Sequence, residues 1–202
     1  MLKQIFPAFA MIAVMTLVTG ILYPLGMTKF AGVVFPHQAA GSLIEKDGKV
    51  IGSALIGQNF TDAKYFQSRP SAITAPDPKD PSKTIDTPYD ASNSAASNLA
   101  PSSKALIDRV TGDAAALKAQ NSSQPVPVDL VTTSASGLDP DITPAAAAFQ
   151  IPRVAKARNL PEDKLRQLVD AHTEGRLLGL IGEPHVNVLE LNLALDKLAA
   201  GG

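Results

Sequence analysis

Covalent or acid–base chemistry needs a nucleophile, a base and a group that orients the base, at workable spacing. The three histidines are the first candidates: His37, His172 two residues before Glu174, and His185 two residues after Glu183. A histidine two residues from a carboxylate is a frequent pair and specifies neither a metal site nor a catalytic base. Gly41-Ser42 and Gly52-Ser53 supply hydroxyls beside glycine, which is turn chemistry. The sequence has no Gly-x-Ser-x-Gly elbow, no His-Glu-x-x-His zinc helix and no Gly-x4-Gly-Lys-Ser/Thr phosphate loop. With no cysteine, disulfides, zinc thiolates, thiol nucleophiles and iron–sulfur clusters are excluded. Arg153, Lys156, Arg158, Lys164 and Arg166 form one basic group. It reads as the solvated face of two consecutive helices, with pairing to an acidic partner surface as the other use. The residues taken by themselves thus name no catalytic or metal-ligating residue.

Composition then says what must carry such residues. The chain has 202 residues, with 18 Lys plus Arg against 19 Asp plus Glu, enough for one ordinary domain and an appendage. That balance argues against a nucleic-acid partner, which would call for a basic stripe. Only Lys3 and Lys29 carry charge in the first 44 residues. An oily piece therefore precedes an ordinary one.

Residues 4–28 are uncharged and bracketed by those two lysines. As a helix they reach roughly 37 Å, enough to cross a bilayer core of about 30 Å with some tilt. The apolar run is too long for the core of a cleaved signal peptide, so the reading is a retained anchor with membrane lipid as one partner. Ala10, Ala13, Thr16 and Gly20 make one small face, the pattern that lets a neighbouring helix approach in lipid. The lysines on either side are too evenly placed for the positive-inside rule to orient the span.

Beyond residue 43 the pattern is mixed. Asp47-Gly48 between Leu43-Ile44-Glu45-Lys46 and Lys49-Val50-Ile51 predicts a hairpin with a type I′ turn. Phe60, Tyr65 and Phe66 are core or docking aromatics, and Pro70, Pro76, Pro78, Pro81 and Pro88 predict a long irregular loop. Helices are expected over 102–119, over 145–157 behind the Thr143-Pro144 cap, and from Pro161 to just before Gly175. Strands are expected over 126–133 and 186–193. The expected architecture is an α+β soluble domain with one N-terminal transmembrane helix: a tail over 1–4, the helix over 5–28, a linker over 29–42, and a single domain over 43–202 with its proline-rich loop near 70–101.

Several segments together resemble one family, the C subunit of the Kdp-type potassium-transporting P-type ATPase. They are Gly52-Ser53-Ala54-Leu55-Ile56-Gly57-Gln58-Asn59-Phe60, Tyr65-Phe66-Gln67-Ser68-Arg69-Pro70-Ser71-Ala72, Ser97-Asn98-Leu99, Thr132-Thr133-Ser134-Ala135-Ser136-Gly137-Leu138-Asp139-Pro140, Arg153-Val154-Ala155-x-Ala157-Arg158, and Pro184-His185-Val186-Asn187-Val188-Leu189-Glu190-Leu191-Asn192-Leu193-Ala194-Leu195-Asp196. The likeness covers nearly the whole chain in order. Ala95-Ala96 and Ala100-Pro101 stand where the family usually has Gly-Gly and Gly-Pro, and His185 where it tends to have Arg.

The resemblance implies a noncatalytic accessory subunit of an ATP-driven potassium uptake pump in the bacterial inner membrane. Its partners would be the ion-conducting and ATP-hydrolysing subunits and a small fourth subunit. The N-terminus would be cytoplasmic and the folded body extracytoplasmic. No tightly bound cofactor is implied; ATP enters through the complex, which the subunit is described as helping to bind it, as a catalytic chaperone. The glutamine to which a nucleotide contact is attributed corresponds to Gln150, whose amide can equally bridge packed elements. The two Asp-Lys pairs here continue with Leu, unlike the Asp-Lys-Thr-Gly that P-type pumps phosphorylate. A membrane-anchored extracytoplasmic enzyme and a tethered solute-binding module are the alternatives from other classes.

Overall fold

A computed structural model describes residues 2–200, and the chain divides into two compact units, Met1–Ser53 and Ala54–Gly202. The first is dominated by a helix over Ile5–Val34 with none of its residues buried within the chain, long and apolar enough to cross a membrane. It consists of α1 (Ile5–Leu17) and α2 (Tyr23–Val34) joined by a π-helical turn over Val18–Leu22. Pro24 accounts for the wide turn: it has no N–H to give, and its ring clashes with the carbonyl four residues back unless the backbone opens there. The helix runs past Lys29 through half of the expected linker, and α3 (Pro36–Ala39) adds one more turn.

The hairpin follows as the Asp-Gly pair dictates. β1 (Leu43–Lys46) pairs antiparallel with β2 (Lys49–Ser53), and Asp47 and Gly48 both take positive φ, 53° and 73°. Ser53 Oγ donates to the Gly41 carbonyl at 2.7 Å. Gly41-Ser42 shapes a turn, with φ 88° and 50°, whereas Gly52-Ser53, also expected in a turn, ends β2 as ladder partners of Ile44 and Leu43.

The second unit is built around three helices and a small sheet. α5 (Pro144–Arg158) and α6 (Glu162–Ala171) pack on each other, and α6 on α7 (Val188–Ala200). The sheet has the order β5 (Asp141–Ile142), β7 (His185–Asn187), β6 (Thr173–Glu174), all antiparallel. Ile151, Val154, Leu165, Val186, Leu191 and Leu195 make the sealed centre, joined by Phe66 from an irregular segment. Thr143 caps α5 as its position predicts, its hydroxyl accepting from Ala146 N, and Asn159 closes that helix with φ 53°. α4 (Lys104–Gln120) lies where a helix is expected but has no buried residue. The α+β class holds.

Three local expectations are corrected. Within 70–101, β3 (Thr74–Asp77) pairs with β4 (Asp80–Asp86) despite Pro76 and Pro81; a two-stranded sheet is all edge, so missing proline donors face no third strand. The strand expected over 126–133 is instead a 3₁₀ turn at Val128–Leu130. Pro125 and Pro127 remove ladder donors there, and buried Asp129 turns inward to accept from Thr143 N at 2.8 Å. The strand expected over 186–193 stops at Asn187. Asn187 Oδ1 accepts from Glu190 N and caps α7, where Val188, Leu191 and Leu195 follow helical rather than alternating spacing.

Candidate functional site: a clamped strap beside an open cleft

Residues 63–73 belong to no sheet, yet Phe66 and Ile73 are fully buried. Buried backbone without a ladder partner must find donors and acceptors elsewhere. Two side-chain amides supply them. Asn192 on α7 accepts from Phe66 N at 2.8 Å and donates to Phe66 O at 2.9 Å. Gln150 on α5 does the same for the next residue, accepting from Gln67 N at 2.8 Å and donating to Gln67 O at 3.0 Å.

Gln150 is 4% exposed, and its amide is fully engaged: Nε2 also donates to Ala146 O, and Oε1 also accepts from Arg153 Nη2 at 2.6 Å. Arg153 Nη1 donates to the carbonyls of Ala63 and Tyr65, and its burial lowers its pKa from the ordinary value. Arg158 Nε donates to Lys64 O, its guanidinium lies 4.7 Å from the Tyr65 ring centroid, and Nη2 pairs with Asp196 at 2.7 Å. The Tyr65 hydroxyl donates to the same Asp196. Two of the five basic residues read as a solvated face are therefore turned inward, because strap carbonyls need donors; Lys156, Lys164 and Arg166 remain exposed.

The strap continues into a polar knot. Arg69 pairs with Asp139 at 2.8 Å, Ser71 Oγ donates to Gly137 O at 2.8 Å, and the Tyr89 hydroxyl donates to Arg69 O at 2.7 Å. Burial pushes the Tyr89 phenol up to about 12, so it stays protonated and donates at physiological pH. A cleft of about 510 Å³ opens here, lined by Phe60, Arg69, Tyr89, Asp113 and Gln120 among others. Its size suits a small ligand. Its one arginine is already paired, and its tyrosine hydroxyl is committed to the backbone.

Neither His172 nor His185 lines this cleft. His172, which follows α6, has its Nδ1 2.9 Å from Leu168 O of that helix, and His37 is exposed on α3. His185 Nδ1 lies 3.1 Å from the backbone carbonyl of Glu183, and Nε2 is 3.7 Å from Glu174 and 3.9 Å from Asp141. Asp141 is raised above the usual carboxylate value by burial and by the nearby Asp139 and Glu174 charges, with His185 drawing it part of the way back. Among the described residues no three His, Cys, Asp or Glu are grouped so as to hold a metal ion.

Sequence reasoning missed Asn192, which forms the tightest clamp, and the only signal was an amide inside the Leu191–Leu195 stripe. A family described as KdpC: K+-transporting ATPase, c chain, matches residues 5–197. The chain belongs to the KdpC family. It is 65% identical to the potassium-transporting ATPase KdpC subunit of Bradyrhizobium diazoefficiens over 200 residues, covering 99% of this chain and all of that one. It is 67% identical to the subunit of the same name from Rhodopseudomonas palustris strain BisB18, covering 97% and 98% of the two chains. Against that of Methylobacterium nodulans it is 62% identical over 98% and 99%.

KdpC membership gives the glycines of the knot a setting. A Cβ on Gly57 would stand 2.5 Å from Asp139 O and from the Tyr89 ring, and Gly57 N donates to Leu138 O at 2.8 Å. Gly137 has φ 71°, and a Cβ there would stand 2.5 Å from Ile73 Cγ1. Neither Ala95 nor Ala96 takes positive φ; in the same irregular stretch the left-handed residues are Tyr89 and Asn98, at φ 63° and 50°.

Proposed function

We propose that this KdpC chain is the noncatalytic accessory subunit of an ATP-driven potassium uptake pump of the bacterial inner membrane. Its helix packs beside the ion-conducting and ATP-hydrolysing subunits, with a small fourth subunit in the same assembly. The N-terminus is cytoplasmic and the body extracytoplasmic, where it biases the pump's conformational cycle through contacts that differ between states. The observation that carries this reading is the full-length family match together with a helix whose apolar residues the chain itself leaves uncovered. The test is to extract the assembly in mild detergent with and without this chain. Potassium-stimulated ATP hydrolysis is lost when it is omitted and returns when it is added back; unchanged hydrolysis without it refutes the proposal.

Any gain in ATP affinity is assigned to the assembly rather than to a nucleotide on Gln150, whose amide would have to break four hydrogen bonds to reach one. Gln150→Ala is expected to cost about 2 kcal/mol of stability by stranding the polar groups of Gln67. The KM for ATP of the complex that still assembles is expected to be unchanged. A tenfold higher KM with unaltered thermal stability would return Gln150 to the nucleotide.

A further inference from the structure

Residues 175–184 connect β6 to β7 as an arm. Thr173 pairs with Val186 and Glu174 with His185; past them Arg176 and Glu183 close an ion pair at 2.8 Å. Leu177 then bridges Ile181, with N–H···O bonds of 2.8 and 3.1 Å in the two directions. Residues 175–184 are all exposed. At the tip, Leu177, Leu178, Leu180 and Ile181 are 66, 85, 81 and 65% exposed. Leu178 has φ 54°, a left-handed conformation that a branched L residue seldom takes. Four aliphatic side chains in water on a fixed, locally strained turn are unfavourable for the chain alone.

The geometry points to this tip as a preformed apolar knob that inserts into an apolar pocket on another subunit of the potassium-transporting ATPase, an inference that rests on the docking function proposed above. Three occupants compete, and the residues discriminate among them. A bilayer surface is held by aromatic side chains at the interface and by free cations for headgroups. Residues 175–184 contain no aromatic, and their one arginine is paired with Glu183. A second copy of this chain would need roughly 800 Å² per partner, whereas four side chains offer on the order of a few hundred.

A pocket on a neighbouring subunit needs neither. The helix over Ile5–Val34 already confines the chain near its partners, so a small contact suffices once docking is effectively intramolecular. The backbone bonds that fix the turn also remove the ordering cost that a flexible loop would meet on binding, an advantage against a shaped pocket and none against fluid lipid.

The experiment uses the full-length chain co-expressed with the other ATPase subunits and purified through a tag on this chain. A photo-crosslinking residue at position 180 is expected to link to a larger subunit. The double variant Leu178→Asn with Leu180→Asp is expected to retain at least tenfold less of the other subunits through a detergent wash. Val128→Asn, at a side chain 70% exposed elsewhere on the body, retains the wild-type amount. The double variant is expected to melt at the wild-type temperature, and the crosslink reads the contact without depending on that variant. Crosslinks to lipid or to a second copy alone, or retention unchanged in the double variant, overturn the knob. Failure of the wild-type chain to retain any other subunit overturns the docking function beneath it.

Discussion

The strap over 63–73 and the arm over 175–184 use their backbones and side chains in opposite ways. The strap hides irregular main chain in the core and has each backbone N–H and C=O of Phe66 and Gln67 taken by an amide of α7 or α5. The arm satisfies its own main chain across a tight turn and leaves its large aliphatic side chains in water. One segment is finished within the chain; the other is finished only by something outside it. The difference separates residues whose loss unfolds the body from residues whose loss leaves it folded and alone.

The largest effect that would break the comparison is at Asn192. Replacing it with Leu keeps the branched heavy-atom skeleton of the amide, with bulkier methyls, but strands Phe66 N–H and C=O in a sealed site, at about 1–3 kcal/mol for each unsatisfied group. We expect a loss of about 3 kcal/mol, or roughly 6–12 °C in Tm for a chain of this size, by circular dichroism of the full-length protein in detergent. A loss under about 1 kcal/mol would mean that water can replace the clamp and that the strap is no more sealed than the arm.

How much of this was legible depends on whether the signal is local. The long apolar helix, the Asp47-Gly48 turn and the Thr143-Pro144 cap are each specified by contiguous sequence, and each stands where its chemistry puts it. The strap is not local: Phe66 and Asn192 are 126 positions apart, and no period connects them. The same cause explains Arg153 and Arg158. Their charge and helical spacing say solvent, and only the carbonyls of 63–65, brought in from elsewhere, turn them inward. At 186–193 the alternation of polar and apolar residues was ambiguous, and the Asn187 cap decided for a helix. Gln150 was reached only through likeness to a family, and its surroundings explain why an amide belongs there.

A matched pair of glycines sharpens the contrast at smaller cost. Gly137 in the knot and Gly179 at the arm tip have nearly the same φ, 71° and 74°, so alanine meets the same left-handed penalty at both. Around Gly137 the added Cβ would also lie 2.5 Å from Ile73 Cγ1 and 2.9 Å from Ala95 O, whereas around Gly179 nothing lies within 4 Å. Gly137→Ala is expected to cost about 1–2 kcal/mol more than Gly179→Ala, the excess being overpacking against a buried Ile73 that has no room to retreat. Equal costs would place the strap's confinement elsewhere.

The smallest expected effect sits at the base of the arm. Asp141 on β5 faces Glu174 and His185 on β6 and β7, with Asp139 close by, and burial and the two carboxylates hold its pKa above the ordinary 3.8. A carboxyl raised in the folded state binds its proton more tightly there than when unfolded. Below the unfolded value the group is neutral in both states and costs nothing. As pH rises through 3.8 and then through the folded value, stability falls, and above that window the penalty is constant. Asp141→Asn removes the charge without changing the shape. Its Tm should therefore exceed that of the wild type modestly near neutral pH, and the gain should vanish as pH falls toward 3.8. A variant Tm that instead fell below that of the wild type in mild acid would mean that the base of the arm is held by an Asp141–His185 ion pair rather than strained by like charges.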